Sequence, residues 1–340
     1  MTKVYFKKTS TENYEKLGNF AKELLDIIVK EENYKFNNKM PVKVHFGEKG
    51  NKTFTPAYTY NQIIDYIKSK DSEPFYIETN VLYRGERTTR DSHIKLAKEH
   101  GFTQLPIVIA DGDIGDEYTE VEINKDYFKS CKIGKEYNRY DKFIVLSHFK
   151  GHEVAGFGGA LKQLAMGFAS RGGKLAQHSE IAPVVKTSKC IGCGICVENC
   201  DVDAISIKDG VAFLKRKKCI GCAGCMAVCP EGAIVNSWKT NNFREKLAEY
   251  AYAASLNKDN IYISFIINIT KKCDCIGHKM DIIADNVGVV ASTDPLALDA
   301  ASLDLLQNSS REKLFSEGRE TLIHGEKIGI GSLDYDLIEV

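Results

Sequence analysis

Residues 142–152 have the sequence Lys-Phe-Ile-Val-Leu-Ser-His-Phe-Lys-Gly-His, which is typical of a strand and the loop after it. Lys142–Ser147 is an apolar run of strand length, and polar side chains and a glycine follow it directly. Three earlier apolar runs have the same form and are also followed by polar loops: Val42–Phe46, Pro74–Thr79 and Pro106–Ala110.

Stretches with helical spacing separate these strands, for example Asn61–Lys70 and Asp91–His100. After residue 240 the alternation returns, and the predicted elements are a helix over about Asn241–Ser255, strands over Ile261–Ile267 and near Val287–Ala291, and a helix that begins at Asp294-Pro295. Asp294 is expected to cap that last helix, with Pro295 at its first position. Alternating strands and helices predict an α/β domain with a mostly parallel sheet.

Eight of the 11 cysteines fall in one short block, too close and too regular for a disulfide framework. The first run is Cys190-x2-Cys193-x2-Cys196-x3-Cys200, and the second run is Cys219-x2-Cys222-x2-Cys225-x3-Cys229-Pro230. The block is an internal repeat, because Lys189–Ile205 and Lys218–Ile234 are identical at nine of seventeen positions.

These spacings are typical of two [4Fe-4S] clusters. Three cysteines two residues apart can reach three corners of one cluster, while the fourth faces the other cluster. The predicted ligands of the first cluster are Cys190, Cys193, Cys196 and Cys229, and those of the second are Cys219, Cys222, Cys225 and Cys200. Zinc is the alternative, but paired zinc sites usually present Cys pairs separated by longer loops.

The block resembles the bacterial two-cluster ferredoxin module, except that Asp201 follows Cys200 where that module usually has proline. We therefore expect a small ferredoxin-like α+β insert over residues 187–235. It would divide a discontinuous α/β domain into segments 1–186 and 236–340.

A second candidate site lies at the carboxyl ends of the strands, where ligands bind in open α/β sheets. Residues 148–178 are rich in glycine, histidine and basic residues and contain a single acid, Glu153. The candidate catalytic residues are His45, Lys150, His152, Lys162 and His178, and the candidate anion-binding glycines are Gly156, Gly158 and Gly159 before a helix near Ala160. The alternative is a glycine-rich turn with solvated bases.

Cys273 and Cys275 form a further candidate site. In an extended segment residues i and i+2 point the same way, so the two thiolates could hold an additional metal ion with His278 or a distant carboxylate. Two reduced thiols in a loop are the alternative. Cys131 is expected to be buried and inert. Three histidines in polar helix-like stretches are expected at the surface: His93, His100 and His324.

Several longer motifs together resemble an uncharacterised family of iron-sulfur-centre proteins that carry the domain of unknown function 362. The motifs are Val44–Glu48, Asn80–Gly85, Ser147–His152, Gly158–Lys162, Cys273–Cys275, Asp294-Pro295 and the terminal Tyr335–Val340. The resemblance implies an α/β domain interrupted by two clusters, without an established reaction. The His-x(n)-Gly-Gly-x-x-Lys pattern is also similar to part of nickel-dependent lactate racemase, over too few residues to imply its reaction.

Charge and composition restrict the functions further. Lys+Arg and Asp+Glu are both 46, so no overall field favours nucleic acid or a membrane surface, and we expect a soluble cytoplasmic protein. No Gly-x-Gly-x-x-Gly follows the first predicted strand, so no hydride donor is indicated.

The leading hypothesis is an oxidoreductase that passes electrons through the clusters to or from an anionic small molecule or cofactor, with a protein as electron donor or acceptor. The alternatives are a non-enzymatic electron carrier or partner-docking protein, and metal-dependent chemistry at Cys273 and Cys275 with the clusters structural or sensing.

Overall fold

The computed structural model describes residues 1–83, 85–178, 182–200, 202–219, 221, 223–235, 242–310 and 312–340. The helices are α1 (Tyr14–Glu31), α2 (Asn61–Lys68), α3 (Arg90–Glu99), α4 (Ala160–Gly167), α5 (Arg171–His178), α6 (Ile195–Glu198), α7 (Gly224–Val228), α8 (Phe243–Ser255), α9 (Pro295–Ser309) and α10 (Arg319–Ile328). The strands are β1 (Thr2–Lys8), β2 (Lys39–Lys43), β3 (Glu73–Glu78), β4 (Ile107–Ile109), β5 (Tyr118–Glu122), β6 (Ser130–Gly134), β7 (Ile144–His148), β8 (Lys150–His152), β9 (Gly156–Gly158), β10 (Val184–Val185), β11 (Ile205–Lys208), β12 (Val211–Leu214), β13 (Ile234–Val235), β14 (Ile261–Ile266), β15 (Ile269–Thr270), β16 (Ile282–Ala284), β17 (Gly288–Ser292) and β18 (Tyr335–Glu339).

An eight-stranded sheet in the order β18-β1-β17-β14-β7-β2-β3-β4 organises the molecule. β17 is antiparallel to β1 and β14, and the other neighbouring strands of this sheet are parallel. The predicted α/β class with a mostly parallel sheet is therefore confirmed.

Two apolar cores cover the two faces of this sheet. Successive strand residues alternate between them, as Ile144 and Leu146 pack in one core while Val145 packs in the other. Helices α1, α2 and α3 cover the first face, and α4, α8, α9 and α10 cover the second. The strand ends are consequently held between two helical layers.

The element bounds differ from the sequence prediction mainly at strand ends. The ladder of β2 ends at Lys43, and Val44 and Phe46 continue beyond it in fully buried positions. The predicted cap of α9 is confirmed, because the Asp294 carboxylate accepts hydrogen bonds from Leu296 N at 2.8 Å and Ala297 N at 3.0 Å. Asn241, the predicted start of α8, lies outside the described residues.

The prediction of surface positions is wrong for His93 and His324, which are 0% and 7% exposed. His93 lies on the inner face of α3 with its ring 5.5 Å from that of Phe46. His324 faces Glu249 of α8 at 3.4 Å. Their neighbours in the sequence are mostly polar, so the sequence did not indicate that both histidines lie on the buried faces of their helices. Cys131 is buried with a free thiol, as predicted.

The two ends of the cysteine block lie side by side, because β10 before it pairs antiparallel with β13 at its end. Between them lie the short helices α6 and α7 and the hairpin of β11 and β12. Among the described residues, no helix has both the length and the apolar character needed to span a membrane.

Candidate functional site

A pocket of about 560 Å³ lies at the carboxyl ends of β2, β3 and β7, and we call it the strand-end pocket. His45 follows β2, Glu78 ends β3 and His148 ends β7. The pocket wall also contains Arg87, Ser147, Lys150, Lys162, Lys174, Cys273, Asp274 and Cys275. Parallel strands bring these distant segments to one edge of the sheet.

A second pocket of about 1240 Å³, the adjoining pocket, shares Lys162, Lys174 and both thiols Cys273 and Cys275 with the first. Its wall also contains His152, His178, Leu82 and Tyr83. The structure thus brings together, around these two pockets, the five candidate catalytic residues and the two cysteines: His45, Lys150, His152, Lys162, His178, Cys273 and Cys275.

Both ring nitrogens of His45, which follows β2, have hydrogen-bond partners. Gly47 N donates to its Nδ1 at 3.1 Å, while Arg87 Nη1 lies 3.0 Å from its Nε2. Arg87 also forms an ion pair with Glu48 at 3.1 Å and a hydrogen bond with the Tyr83 hydroxyl. Burial and the Arg87 charge lower the pKa of His45 to about 4, so its imidazole is neutral near pH 7.

Asp274 contacts two neighbouring side chains of the pocket, His148 and Lys150. Its Oδ2 lies 2.8 Å from His148 Nδ1 and 3.1 Å from Lys150 Nζ. Burial alone would raise the pKa of Asp274, but His148 and Lys150 hold it well below its usual value. Two buried polar atoms of the pocket, Asp274 Oδ1 and Ser147 Oγ, have no hydrogen-bond partner within the described chain. Both are therefore available to a ligand.

Lys162 and Cys273 line the same pocket, and each shifts the pKa of the other. The hydrogen bond from Cys275 and the charges of Lys162 and Lys150 lower the pKa of Cys273 to about 5, against the opposing effect of burial. Burial lowers the pKa of Lys162, but the charges of Cys273 and Cys275 outweigh it and raise that pKa. Lys162 Nζ has no hydrogen-bond or ion-pair partner in the part of the chain that is described. An anion can therefore bind it.

The two thiols lie on a turn, since Ile276 N donates to Cys273 O at 3.0 Å. The predicted extended segment is wrong, yet both side chains still reach the same pockets. His278 is exposed, faces Lys279 O at 2.9 Å and lines neither pocket. The imidazole near the pair is that of His45, with Nε2 3.6 Å from Cys275 Sγ, so a metal ion at the pair would have His45 as its third donor.

Of the three candidate glycines, Gly158 and Gly159 line the strand-end pocket. Gly156 and Gly158 belong to the β8–β9 hairpin, and the amides that begin α4 already bind a carboxylate: Asp299 accepts from Ala160 N at 2.7 Å and from Leu161 N at 2.8 Å. A Cβ on Gly159 would lie 2.3 Å from Asp299 Oδ1, so the glycine permits this contact. The helix terminus is thereby occupied from within the protein, and the lysines are the groups left to bind an anion.

His152 and His178 stack on Phe243, with ring centroids 6.3 Å and 4.7 Å away. Burial lowers the pKa of each ring to about 3. The next largest cause is the charge of Lys162 for His152, and the neighbouring His152 for His178. Val154 N and Ala155 N both donate to His152 Nδ1, which places the proton of that neutral ring on Nε2. The adjoining pocket therefore contains neutral imidazoles.

In the cysteine block, Cys229 of the second run lies with Cys190, Cys193 and Cys196 of the first. These four thiols line one cavity of about 330 Å³. Ala212 N donates to Cys190 Sγ and Ala233 N donates to Cys229 Sγ, each at 3.2 Å. Amide donors to cysteine sulfur are common around iron-sulfur clusters.

The other predicted ligand set is only partly described, because Cys222 lies outside the described residues, as does Asp201. Ala204 N donates to Cys200 Sγ at 3.2 Å and Gly221 N to Cys219 Sγ at 3.4 Å. The sequence repeat is also present in the backbone, as Gly192 and Gly221 have φ values of 65° and 66°.

The second run contacts the wall of the adjoining pocket. Ala223 and Met226, which flank Cys225 along the chain, pack against Leu82 and Leu175 in a small apolar cluster. Leu82 itself lines the adjoining pocket. Leu82 therefore contacts this cysteine loop and also lines the pocket that contains Cys273 and Cys275.

Residues 41–304 match the family described as Domain of unknown function (DUF362). The chain belongs to this family. No curated protein matches the chain. A crystal structure of a protein from Thermotoga maritima is similar, with 11% identity and a TM-score of 0.47 over 89% of this chain and 60% of that one.

The lactate racemase apoprotein from Thermoanaerobacterium thermosaccharolyticum is 14% identical, with a TM-score of 0.46 over 91% of this chain and 58% of that protein. The DUF362 chain thus spans about three fifths of the length of both structures.

Sequence reasoning missed four residues of the site: Arg87, Asp274, Lys174 and Asp299. Arg87 and Asp274 lie in loops that follow strands. Their position after strands could therefore have indicated that they belong to the site. Asp299 lies inside α9 and gave no signal, because its partners are the amides of a helix far away in the sequence.

Proposed function

We propose that this DUF362 protein is an iron-sulfur oxidoreductase that passes electrons through two [4Fe-4S] clusters to or from an anionic small molecule in the strand-end pocket. The observation that carries the proposal is the contact of Ala223 and Met226 with Leu82 and Leu175. It brings the cysteine loop of the second run next to the adjoining pocket. Short separations of this kind favour single-electron transfer.

The cavity in the cysteine block supports the cluster part of the proposal. Four thiols from both runs line one cavity, as crossed ligation of two clusters requires. Amide hydrogen bonds to Cys190, Cys200, Cys219 and Cys229 would stabilise the negative charge on the ligands. Bound clusters would supply one-electron steps.

The charges of the strand-end pocket support the anion part. Lys162 has no partner within the described residues, and Lys150 and Arg87 add positive charge around it. Lys162 would bind the anion, Asp274 orients His148 and Lys150, and the neutral imidazoles of His152 and His178 are suited to proton transfer.

Anaerobic purification with iron and sulfide analysis tests the clusters, together with electron paramagnetic resonance before and after reduction. Phosphate is then added to the reduced protein, and we expect its binding to change the signal of the cluster near Leu82. Lys162→Ala should remove that change and retain both signals. Absence of iron and sulfide, or a phosphate effect that survives in Lys162→Ala, would overturn the proposal.

An electron carrier without its own substrate is the second candidate, and the exposed apolar residues of the cysteine block favour it. Ile191 and Ile207 line the cysteine cavity and are 65% and 38% exposed, with Phe213 nearby in the hairpin at 44%. Such a surface suits a redox partner protein. A carrier would transfer electrons to that protein, depend on Lys215–Lys218 or this apolar surface, and show no saturable anion binding.

A further inference from the structure

Cys273 and Cys275 occupy the first and third positions of one turn, which Ile276 N closes by donating to Cys273 O at 3.0 Å. The Cys275 side chain is the largest influence on the pKa of Cys273, as expected for neighbouring thiols. Both sulfurs face the strand-end and adjoining pockets. By contrast, Cys131 is fully buried under the sheet, with its thiol directed at Glu249 O, and lies in neither pocket.

The surroundings of the pair favour thiol chemistry over inert packing. Lys162 and Lys150 place positive charge beside Cys273, which stabilises the thiolate that exchange and oxidation require. Because Cys275 is only partly buried, the pair can be reached from the pocket.

We propose that Cys273 and Cys275 are a redox-active pair that cycles between a dithiol and an internal disulfide. On oxidation the two S–H bonds break, one S–S bond forms, and two protons and two electrons leave. On reduction the S–S bond breaks and two electrons and two protons are taken up. The source of those electrons rests on the proposed function, in which each of two [4Fe-4S] clusters carries one.

This pairing matches single-electron centres to a two-electron reaction. Two clusters deliver one electron each, and the dithiol holds both electrons as a pair beside the anion bound at Lys162. The path runs from the loop of Ala223 and Met226 across Leu82 to the pocket wall with Cys273 and Cys275.

Peptide mapping tests the pair directly. The purified protein is equilibrated anaerobically with glutathione buffers of graded potential, quenched with acid and alkylated. Trypsin cleaves after Lys272 and Lys279, so Cys273 and Cys275 appear in one peptide without another cysteine. We expect this peptide to change reversibly from a doubly alkylated form to an unalkylated form lighter by two hydrogens, with a midpoint that fits two electrons. The Cys131 peptide should stay alkylated throughout.

Loss of alkylation only as a glutathione adduct, or no change at any potential, would overturn the proposal. A peptide protected from alkylation until a chelator is added would also overturn it, because Cys273, Cys275 and His45 would then hold a metal ion.

Counting electrons separates this inference from the proposed function. A reductive titration of the oxidised holoprotein should consume two more electrons than that of Cys275→Ser, while Cys131→Ala should behave like the unaltered protein. If the glutathione midpoint exists but no cluster signal is found, the proposed function fails and the pair stands. If clusters reduce normally and the two extra electrons are missing, the pair fails and the proposed function stands.

Discussion

The strand-end pocket and the cysteine block are built in opposite ways. The pocket lies on an eight-stranded sheet with an extensive apolar core on each face. Among its described residues, the block has two helices of 4 and 5 residues and a small core. The buried members of this core are Cys196, Ile205, Ala212, Cys225 and Ile234. Two of those five residues are predicted cluster ligands, so the block has little apolar packing of its own.

The difference teaches where each site obtains its order. Packing of distant segments fixes the pocket before any ligand binds. Buried groups there have displaced pKa values, such as about 4 for His45, which burial and the Arg87 charge lower. We expect the block instead to depend on the proposed clusters for its order, because metal binding can supply folding free energy outright. Removing a cofactor and removing a charge should therefore affect different parts of the molecule.

Iron removal should have the largest effect. With a chelator and a reductant, we expect residues 187–235 to become accessible to protease while the α/β domain keeps its circular dichroism and its melting transition. A chain in which a Gly-Ser linker replaces residues 187–235 is the matched control, since paired β10 and β13 place the ends of the block together. If that chain is insoluble, the α/β domain depends on the block.

Changing one cysteine should remove one cluster. Cys229 lies with Cys190, Cys193 and Cys196 in the structure, so Cys229→Ser should perturb the cluster of the first run. Electron paramagnetic resonance and iron content measure the loss, with Cys131→Ser as the control. Loss only of the signal assigned to Cys219 and Cys225 would contradict crossed ligation.

The buried ion pair under the pocket should dominate its stability. Lys43 Nζ lies 2.9 Å from Glu78 Oε2, with both side chains almost fully buried. Lys43→Met leaves Glu78 buried without its cation and should lower the free energy of unfolding by about 3–5 kcal/mol. Denaturant unfolding measures this, and Lys43→Met with Glu78→Gln should recover part of the loss.

The exposed pair of Lys3 and Glu31 is the matched control for that prediction. Lys3→Met should change the unfolding free energy much less, because solvent screens this pair. Equal losses of unfolding free energy in the two variants would show that burial does not increase the cost of removing Lys43.

Removal of the Lys162 charge should reduce the free energy of anion binding by less than the loss of unfolding free energy expected for Lys43→Met. A charge-assisted contact is worth about 1.5–3 kcal/mol, so Lys162→Ala should weaken phosphate binding by about 10–100-fold in calorimetry. Binding to the unaltered protein should weaken as salt rises. Lys327 is paired with Asp126 at 2.7 Å, and neither residue lines either pocket, so Lys327→Ala provides the control. Equal binding by both variants would remove Lys162 from the anion site.

The same contrast explains what the sequence could predict. Ligand spacing in the cysteine block is a local property, so the repeat could be read directly from Cys190 to Cys229, although their clusters remain a prediction. Several strands of the α/β domain could also be predicted, because apolar runs such as Ile261–Ile266 are continuous. β1 and β18 were missed, since their pairing depends on chain ends that meet only in the folded sheet.

The pocket could be predicted only in part. His45, Lys150 and Lys162 were found because they follow predicted strands or begin a helix. The glycine run was misread, because no local pattern shows that Asp299 of α9 occupies the amides of α4. Likewise, Asp274 joins His148 from 126 positions away. Long-range contacts of this kind decide which charges remain available.

The smallest expected effect is a shift in the reactivity of Cys273 with pH. Its pKa of about 5 means that the thiolate persists down to mildly acidic pH, so the rate of alkylation by iodoacetamide should stay level from neutral pH to about 6 and fall near 5. The hydrogen bond from Cys275 contributes most to this lowering, ahead of Lys162 and Lys150. Cys275→Ala should therefore move the midpoint of the rate profile upward, and Lys162→Ala should move it upward by less. Peptide mapping at Cys273–Lys279 assigns the alkylation to this residue, and Cys131, whose pKa burial raises, should stay unreactive across the same range. A midpoint near the ordinary thiol value in the unaltered protein would show that the surrounding charges do not act on Cys273. The pocket would then be less preorganised than its contacts indicate.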